Sequence, residues 1–296
     1  MEKNMFDGAR AAGPRSQAGI AVLMAAGSMV SVQFGAALAK PAMDMFGTLA
    51  TTWGRLAWAA LLLAILVRPD PRRYGRRAIV GALALGVAIA VMTVTFYEAI
   101  VRVPLGLVVA IEFLGPLSVA TFGFGRSWRL VWPLVALAGV LCLVRDREGW
   151  SIDPIGLGFA LAAGVGWGSY ILLSKRTGAA FKGLDGLAIS FIAAALVTTP
   201  FGLAETGLHM PIRFVAETAG LALLTPLIPY ALEMMALRRL PSHSFGILMS
   251  AEPAIGALAG FFILSQPLSL LQMAGIGLVI AASIGAITSA SERAAA

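Results

Sequence analysis

Among the charged side chains inside long apolar stretches of this 296-residue sequence, five could do chemistry: Arg55, Glu98, Glu112, Glu233 and Glu252. Charge is costly to hold in such surroundings, so each group needs either a partner or a function. Arg55, Glu112 and Glu252 each sit roughly 8–10 residues from an end of their stretch, about 12–15 Å at helical rise. That depth is near the middle of a bilayer. Glu112 and Glu252 precede Pro116 and Pro253 by four residues and by one. A proline at 116 cannot donate to the carbonyl of residue 112, which leaves a free backbone acceptor beside the Glu112 carboxylate. Pro116 and Pro253 are therefore expected helix-break positions. Two chemistries suit a carboxylate at that depth: carrying a proton, or binding an ammonium group. The alternative is a carboxylate locked to Arg55 or to backbone amides, holding helices together.

Arg55 has two readings of its own. It would grip a substrate carboxylate through two parallel hydrogen bonds, or serve as the internal counter-ion of Glu112 or Glu252. Glu98, near the outer end of its stretch, has Arg102 four residues on, and Glu233, near the inner end of its own, has Arg238 and Arg239 close behind. Both read as interface charges anchoring helix ends, or as opposite gates. Gln33, Trp167, Tyr170, Tyr97 and Tyr230 are candidates to line a cavity, although most membrane aromatics pack or form interfacial belts.

These residues need a membrane scaffold. Apolar residues make up 59% of the chain and charged ones 12%, with a mean hydropathy of +0.87. A helical span takes roughly 20 apolar residues, and ten such stretches are legible. They are Ala18–Ala39, Thr48–Val67, Ala78–Ile100, Pro104–Phe122, Leu130–Val144, Pro154–Ser174, Gly183–Leu203, Phe214–Leu237, Phe245–Leu264 and Leu268–Thr288. The expectation is an all-α integral membrane protein of ten transmembrane helices, with no large catalytic domain outside the bilayer. The single cysteine, Cys142, excludes a disulfide framework, and two histidines provide no metal site of the usual spacing. The net charge of +7 is explained without nucleic acid. With the N-terminus in the cytoplasm, sixteen Lys and Arg fall inside and five outside, Arg55 being within a span. Both termini are then cytoplasmic.

The sequence also repeats. Ala99–Pro104 matches Ala236–Pro241 at an offset of 137, and Pro116 matches Pro253. The same offset superposes Ala25-Ala26-Gly27 on Ala162-Ala163-Gly164, and Gln33 on Tyr170. Duplication of an odd number of spans makes the halves cross the membrane in opposite directions, giving two inverted five-helix repeats. The chain divides into a tail at 1–17, a first repeat at 18–146, a second at 154–288 and a tail at 289–296.

Two five-helix halves with cytoplasmic ends resemble the EamA family of the drug/metabolite transporter superfamily. The stretch Val103–Pro116 is similar to the bacterial threonine/homoserine exporters of that family. So is the stretch from Ile228 through Glu233 to Pro241, continuing by Phe245-Gly246 to Ser250-Ala251-Glu252-Pro253. Many members carry Gly-Glu after the ninth span, where this chain has Ser265-Gln266. The resemblance implies a secondary transporter of the bacterial inner membrane, exporting small amino acids, with aromatic amino acids, other metabolites or drug-like cations as alternatives. Proton antiport by alternating access is the expected mechanism. Expected partners are the amino acid, protons and the lipid bilayer, with a homodimer left open and no cofactor. A membrane-embedded enzyme is the remote alternative, since His209 and Ser242-His243-Ser244 sit at stretch ends without a carboxylate in triad order. No Gly-x4-Gly-Lys-Ser/Thr phosphate loop exists, so ATP hydrolysis does not drive the chain.

Overall fold

The computed structural model of the protein describes residues 14–122, 131–144, 153–207, 210–237, 239, 245 and 248–294, and all regular structure among them is helical. The helices are α1 (Pro14–Phe46), α2 (Thr48–Val67), α3 (Arg76–Ile100), α4 (Leu105–Glu112), α5 (Leu114–Phe122) and α6 (Val131–Val144). They continue with α7 (Pro154–Ala180), α8 (Asp185–Thr206), α9 (Ile212–Ala222), α10 (Ile228–Leu237), α11 (Glu252–Leu264) and α12 (Leu270–Ala294). A wide π-type turn, Leu223–Leu227, joins α9 to α10.

Six segments are long and apolar enough to cross a membrane, and four shorter apolar helices, Leu105–Val119, Val131–Leu143, Glu252–Leu264 and Leu270–Gly285, accompany them. Their outward faces carry bare aliphatic side chains, with Leu66 76% and Leu23 73% exposed, as a lipid solvent allows. The second expected span and α2 coincide at Thr48–Val67. Others differ where polar residues extend a helix beyond its apolar part. α1 runs on past Ala39 to Phe46, and Lys40 and Asp44 pair at 3.6 Å on its last turns. α7 continues past Ser174 through Lys175 and Arg176 to Ala180. The fourth and eighth expected spans each come in two pieces, and α11 begins only at Glu252.

Helices of the two halves interleave. α3 packs on α7 and α8, α2 on α8 and α9, α1 on α10 and α11, α4 on α11, and α6 on α12. Small residues allow this closeness. A Cβ on Gly139 would stand 2.7 Å from the carbonyl oxygen of Gly275, and one on Gly106 would stand 2.8 Å from Ala257. Backbone contact of this kind gives van der Waals attraction where the hydrophobic effect gives none.

Polar ties close the ends of the bundle. At one end the Tyr74 hydroxyl donates to Asp185 at 2.6 Å, and its ring lies 4.3 Å from that of Phe181. The Asp185 acceptor, with desolvation, holds the Tyr74 phenol above its ordinary value, so it remains a donor at neutral pH. At the other end Glu205 accepts from the backbone N–H of Ala50 in the first turn of α2, at 2.8 Å. Gln266 accepts from the N–H of Leu105 at 3.0 Å and so caps α4. The side chain at the Ser265-Gln266 departure thus has a structural task.

Candidate functional site

Three breaks in the helices build the site. The first separates α4 from α5 at Phe113, directly after Glu112, with Pro116 in the opening turn of α5. The glycines of α7 lie flat against it. A Cβ on Gly164 would stand 3.1 Å from the Glu112 carbonyl oxygen, and one on Gly166 would stand 2.8 Å from Met92 of α3. Trp167, between these contacts, meets Phe113 edge to face at 5.5 Å. The Glu112 backbone thus meets α7 at the α4–α5 junction.

The second break is the turn between α9 and α10. Thr225 leaves the helix at φ −150°, ψ 111°, and Pro226 brings no N–H. Carbonyls there take side-chain donors instead of helical ones. Ser31 donates to Leu224 O at 2.8 Å. Arg55 donates through Nη2 to Thr225 O at 3.1 Å and also, closely, to Thr225 Oγ1. The third break places Glu252 as the first residue of α11, with Pro253 in its first turn. An anion at that position faces the positive end of the helix dipole.

α1 reaches two carboxylates of the second half. Gln33 Nε2 donates to Glu252 Oε1 at 3.0 Å, and Ser28 donates to Glu233 Oε1 at 2.7 Å. Between the breaks lies a chamber of about 190 Å³. Glu112, Glu252, Arg55, Gln33, Tyr170, Trp167, Tyr97 and Tyr230 all line it, as does Glu233. Arg55, Gln33 and Glu252 are 4%, 2% and 5% exposed. The Arg55 guanidinium rests 4.3 Å above the centre of the Tyr97 ring. Four polar atoms of this group are buried without a hydrogen-bond partner: Arg55 Nε and Nη1, Gln33 Oε1 and Glu252 Oε2.

The structure bears on two pairs of open readings. Arg55 makes no ion pair with Glu112 or Glu252 among the described residues, and Thr225 holds it instead. The unwound turn frees the Thr225 carbonyl, and the Thr225 hydroxyl adds a second acceptor. Glu98 lies outside the chamber, tied to Arg102, whose Nε stands 3.9 Å from Asp153. Of the two gate candidates, only Glu233 lines the chamber. Sequence reasoning passed over Thr225, although Thr225-Pro226 with Pro229 inside one apolar stretch announces a broken helix.

A charged chamber enclosed by helices with lipid-compatible outer faces defines a helical membrane protein that accommodates a small polar solute. Residues 154–288 match the model of the EamA-like transporter family. The chain is 38% identical over 270 residues to the threonine/homoserine exporter RhtA of Escherichia coli (strain K12), covering 90% of each. It is 36% identical over 262 residues to the protein of the same name from Salmonella typhimurium (strain LT2), covering 87% of this chain and 88% of that one. An uncharacterized transporter of Bacillus subtilis (strain 168), YwfM, is 28% identical over 157 residues, 52% of each chain. A solved crystal structure superposes with a TM-score of 0.59 at 16% identity, over 92% of this chain and 98% of its own, which speaks for the fold alone. The chain belongs to the EamA-like transporter family, whose members are transporters and not enzymes.

Proposed function

We propose that this protein exports small amino acids of the threonine/homoserine kind across the bacterial inner membrane, by proton antiport and alternating access. The observation that carries the reading is the set of unpartnered atoms around the chamber. Arg55 offers donors to a carboxylate, and Gln33 Oε1 with Glu252 Oε2 offers acceptors to an ammonium group. A buried polar atom left unpaired costs roughly 1–3 kcal/mol, and a zwitterionic α-amino acid relieves several such costs at once. The names of the curated relatives support the same substrate class. In proteoliposomes, an acidic lumen should drive accumulation of labelled threonine or homoserine, and a protonophore should collapse it. Failure to accumulate either solute overturns the substrate reading, and accumulation indifferent to the pH gradient overturns the coupling.

The reading includes ten spans in two inverted repeats, with both termini cytoplasmic. The six long segments and four shorter apolar helices support the count. The packing supports the repeat, because its main contacts recur: α1 on α10 mirrors α7 on α3, and α2 on α9 mirrors α8 on α3. After Cys142→Ser, cysteines introduced by Gly75→Cys and Lys182→Cys should both react with an impermeant thiol reagent only from the cytoplasmic side. Reaction of either from outside overturns the topology.

A further inference from the structure

A second cavity, of about 180 Å³, lies one turn further along α3 and α8, touching Leu85 and Leu187 where the chamber touches Ile89 and Phe191. Tyr170 and Tyr230 line both cavities, their ring centres 6.3 Å apart and their planes at 64°, and so form the wall between them. From Tyr170 the polar groups of α7 continue at one-turn intervals through Ser174 and Thr177, which line the second cavity. The Thr177 hydroxyl is buried without a partner, at 5% exposure, and the buried Ser174 hydroxyl has only the Tyr170 hydroxyl beside it.

Such hydroxyls are uncommon in this bundle. Thr93, Ser118, Ser169, Ser190, Thr198 and Thr218 all donate back to the carbonyl four residues earlier in their own helix. Thr51 and Thr52 also lack partners, but they line neither cavity. The described lining of the second cavity holds no acidic or basic side chain, and it reaches the exposed Gly178 and Gly183 at the α7–α8 connection.

We propose that this second cavity is a transit subsite for the transported amino acid, in which Ser174 and Thr177 replace water, and that the Tyr170–Tyr230 pair is the gate between it and the chamber. The proposal rests on the export reading, in which the α7–α8 face is cytoplasmic and solute arrives from it. A neutral, hydroxyl-bearing surface holds a zwitterion weakly, whereas the chamber beyond holds it by opposed charges. A pathway conducts when its first site is favourable enough to take up the solute and weak enough to release it onward.

Gate and subsite are tested apart. On a Cys142→Ser background, Thr93→Cys reports on the chamber and Leu184→Cys on the second cavity, each read by mass after an impermeant thiol reagent reaches the α7–α8 face. Adding Tyr170→Ala and Tyr230→Ala should speed labelling of the chamber reporter about tenfold or more, with the Leu184→Cys rate unchanged. If the double variant does not elute as a folded species, Tyr170→Ala alone carries the same expectation at smaller size. Ser174→Ala with Thr177→Val should raise the KM for threonine presented at that face about five- to tenfold. Equilibrium binding of threonine to the chamber should stay at its native value. A chamber reporter that labels equally fast with and without the tyrosines overturns the gate, and an unchanged KM overturns the subsite. Should the native protein move no threonine at all, the export reading fails, while the labelling ratio still decides the gate.

Discussion

Arg55→Ala should abolish threonine movement in every mode, net export and equilibrium exchange alike, while the protein still elutes as a folded species. Nη2 of Arg55 is anchored on Thr225 O and Oγ1 and its guanidinium face lies on Tyr97, so the side chain is fixed before any solute arrives. Its Nε and Nη1 remain unused. A carboxylate bound there gains a charge-assisted bond without ordering a flexible partner. Truncating one side of a buried, hydrogen-bonded charge pair costs roughly 2–5 kcal/mol, or about thirty- to five-thousand-fold in affinity. Arg55→Lys keeps the charge, but an ammonium cannot hold Thr225, cover the Tyr97 ring and face a substrate together, so it should recover only a small part. Thr225→Val removes the hydroxyl and leaves the carbonyl, and should cost much less than Arg55→Ala. If Thr225→Val were as damaging, Arg55 would be no more than a pin for the broken helix. Counterflow of labelled threonine in proteoliposomes, beside gel filtration in detergent, separates these outcomes.

The residues of the chamber were legible in the sequence because charge and amide groups at bilayer depth stand out against an apolar background. Glu112, Glu252, Arg55 and Gln33 could be selected by depth and type alone, and all four line one cavity. Their partners were not legible, because hydropathy reports side chains and the partners come from broken backbone. For Arg55, a carboxylate at equal depth was one of two open readings. The turn at Thr225-Pro226 instead puts a carbonyl and a hydroxyl within its reach, through a backbone angle that no composition window registers. The span limits behaved likewise. α2 is apolar throughout and coincides with its expected limits, whereas α1 and α7 run on through Lys40 and Lys175, where a helix needs no lipid around it.

The repeat proposed above would account for the scaffold and leave the chemistry uneven. At the offset of 137, Glu112 corresponds to Met249 and Glu233 to Phe96, and all four side chains line the chamber. In the proposed repeat, each acidic group therefore belongs to one half alone. Glu252 and Glu233 are held by Gln33 and Ser28, both on α1. Glu112 stands apart: it is 8% exposed and in no ion pair among the described residues.

Glu112→Gln should eliminate net export driven by a pH gradient and spare exchange of labelled for unlabelled threonine. Glu112 sits at the α4–α5 break against Gly164, facing the chamber without the amide that holds Glu252. It is thus the carboxylate whose charge can change without dismantling a contact. Glutamine keeps its size and polarity but represents only the protonated state, and antiport requires both states in each cycle. Exchange requires neither, because substrate enters and leaves with the proton count fixed. Gradient-driven accumulation should fall at least about a hundredfold, as expected when a group essential to one step is removed, with the exchange rate within a few-fold of native. Glu252→Gln provides the contrast. In the proposed site it forms, with Gln33, the acceptor pair for the ammonium group, so its loss should weaken exchange and net transport together. A structural Glu112 would instead give a variant that misfolds on gel filtration, or loses both modes in equal measure. A folded Glu112→Gln protein that still concentrates threonine, with its pH dependence intact, would remove Glu112 from the proton path and leave Glu252 as the carboxylate to test.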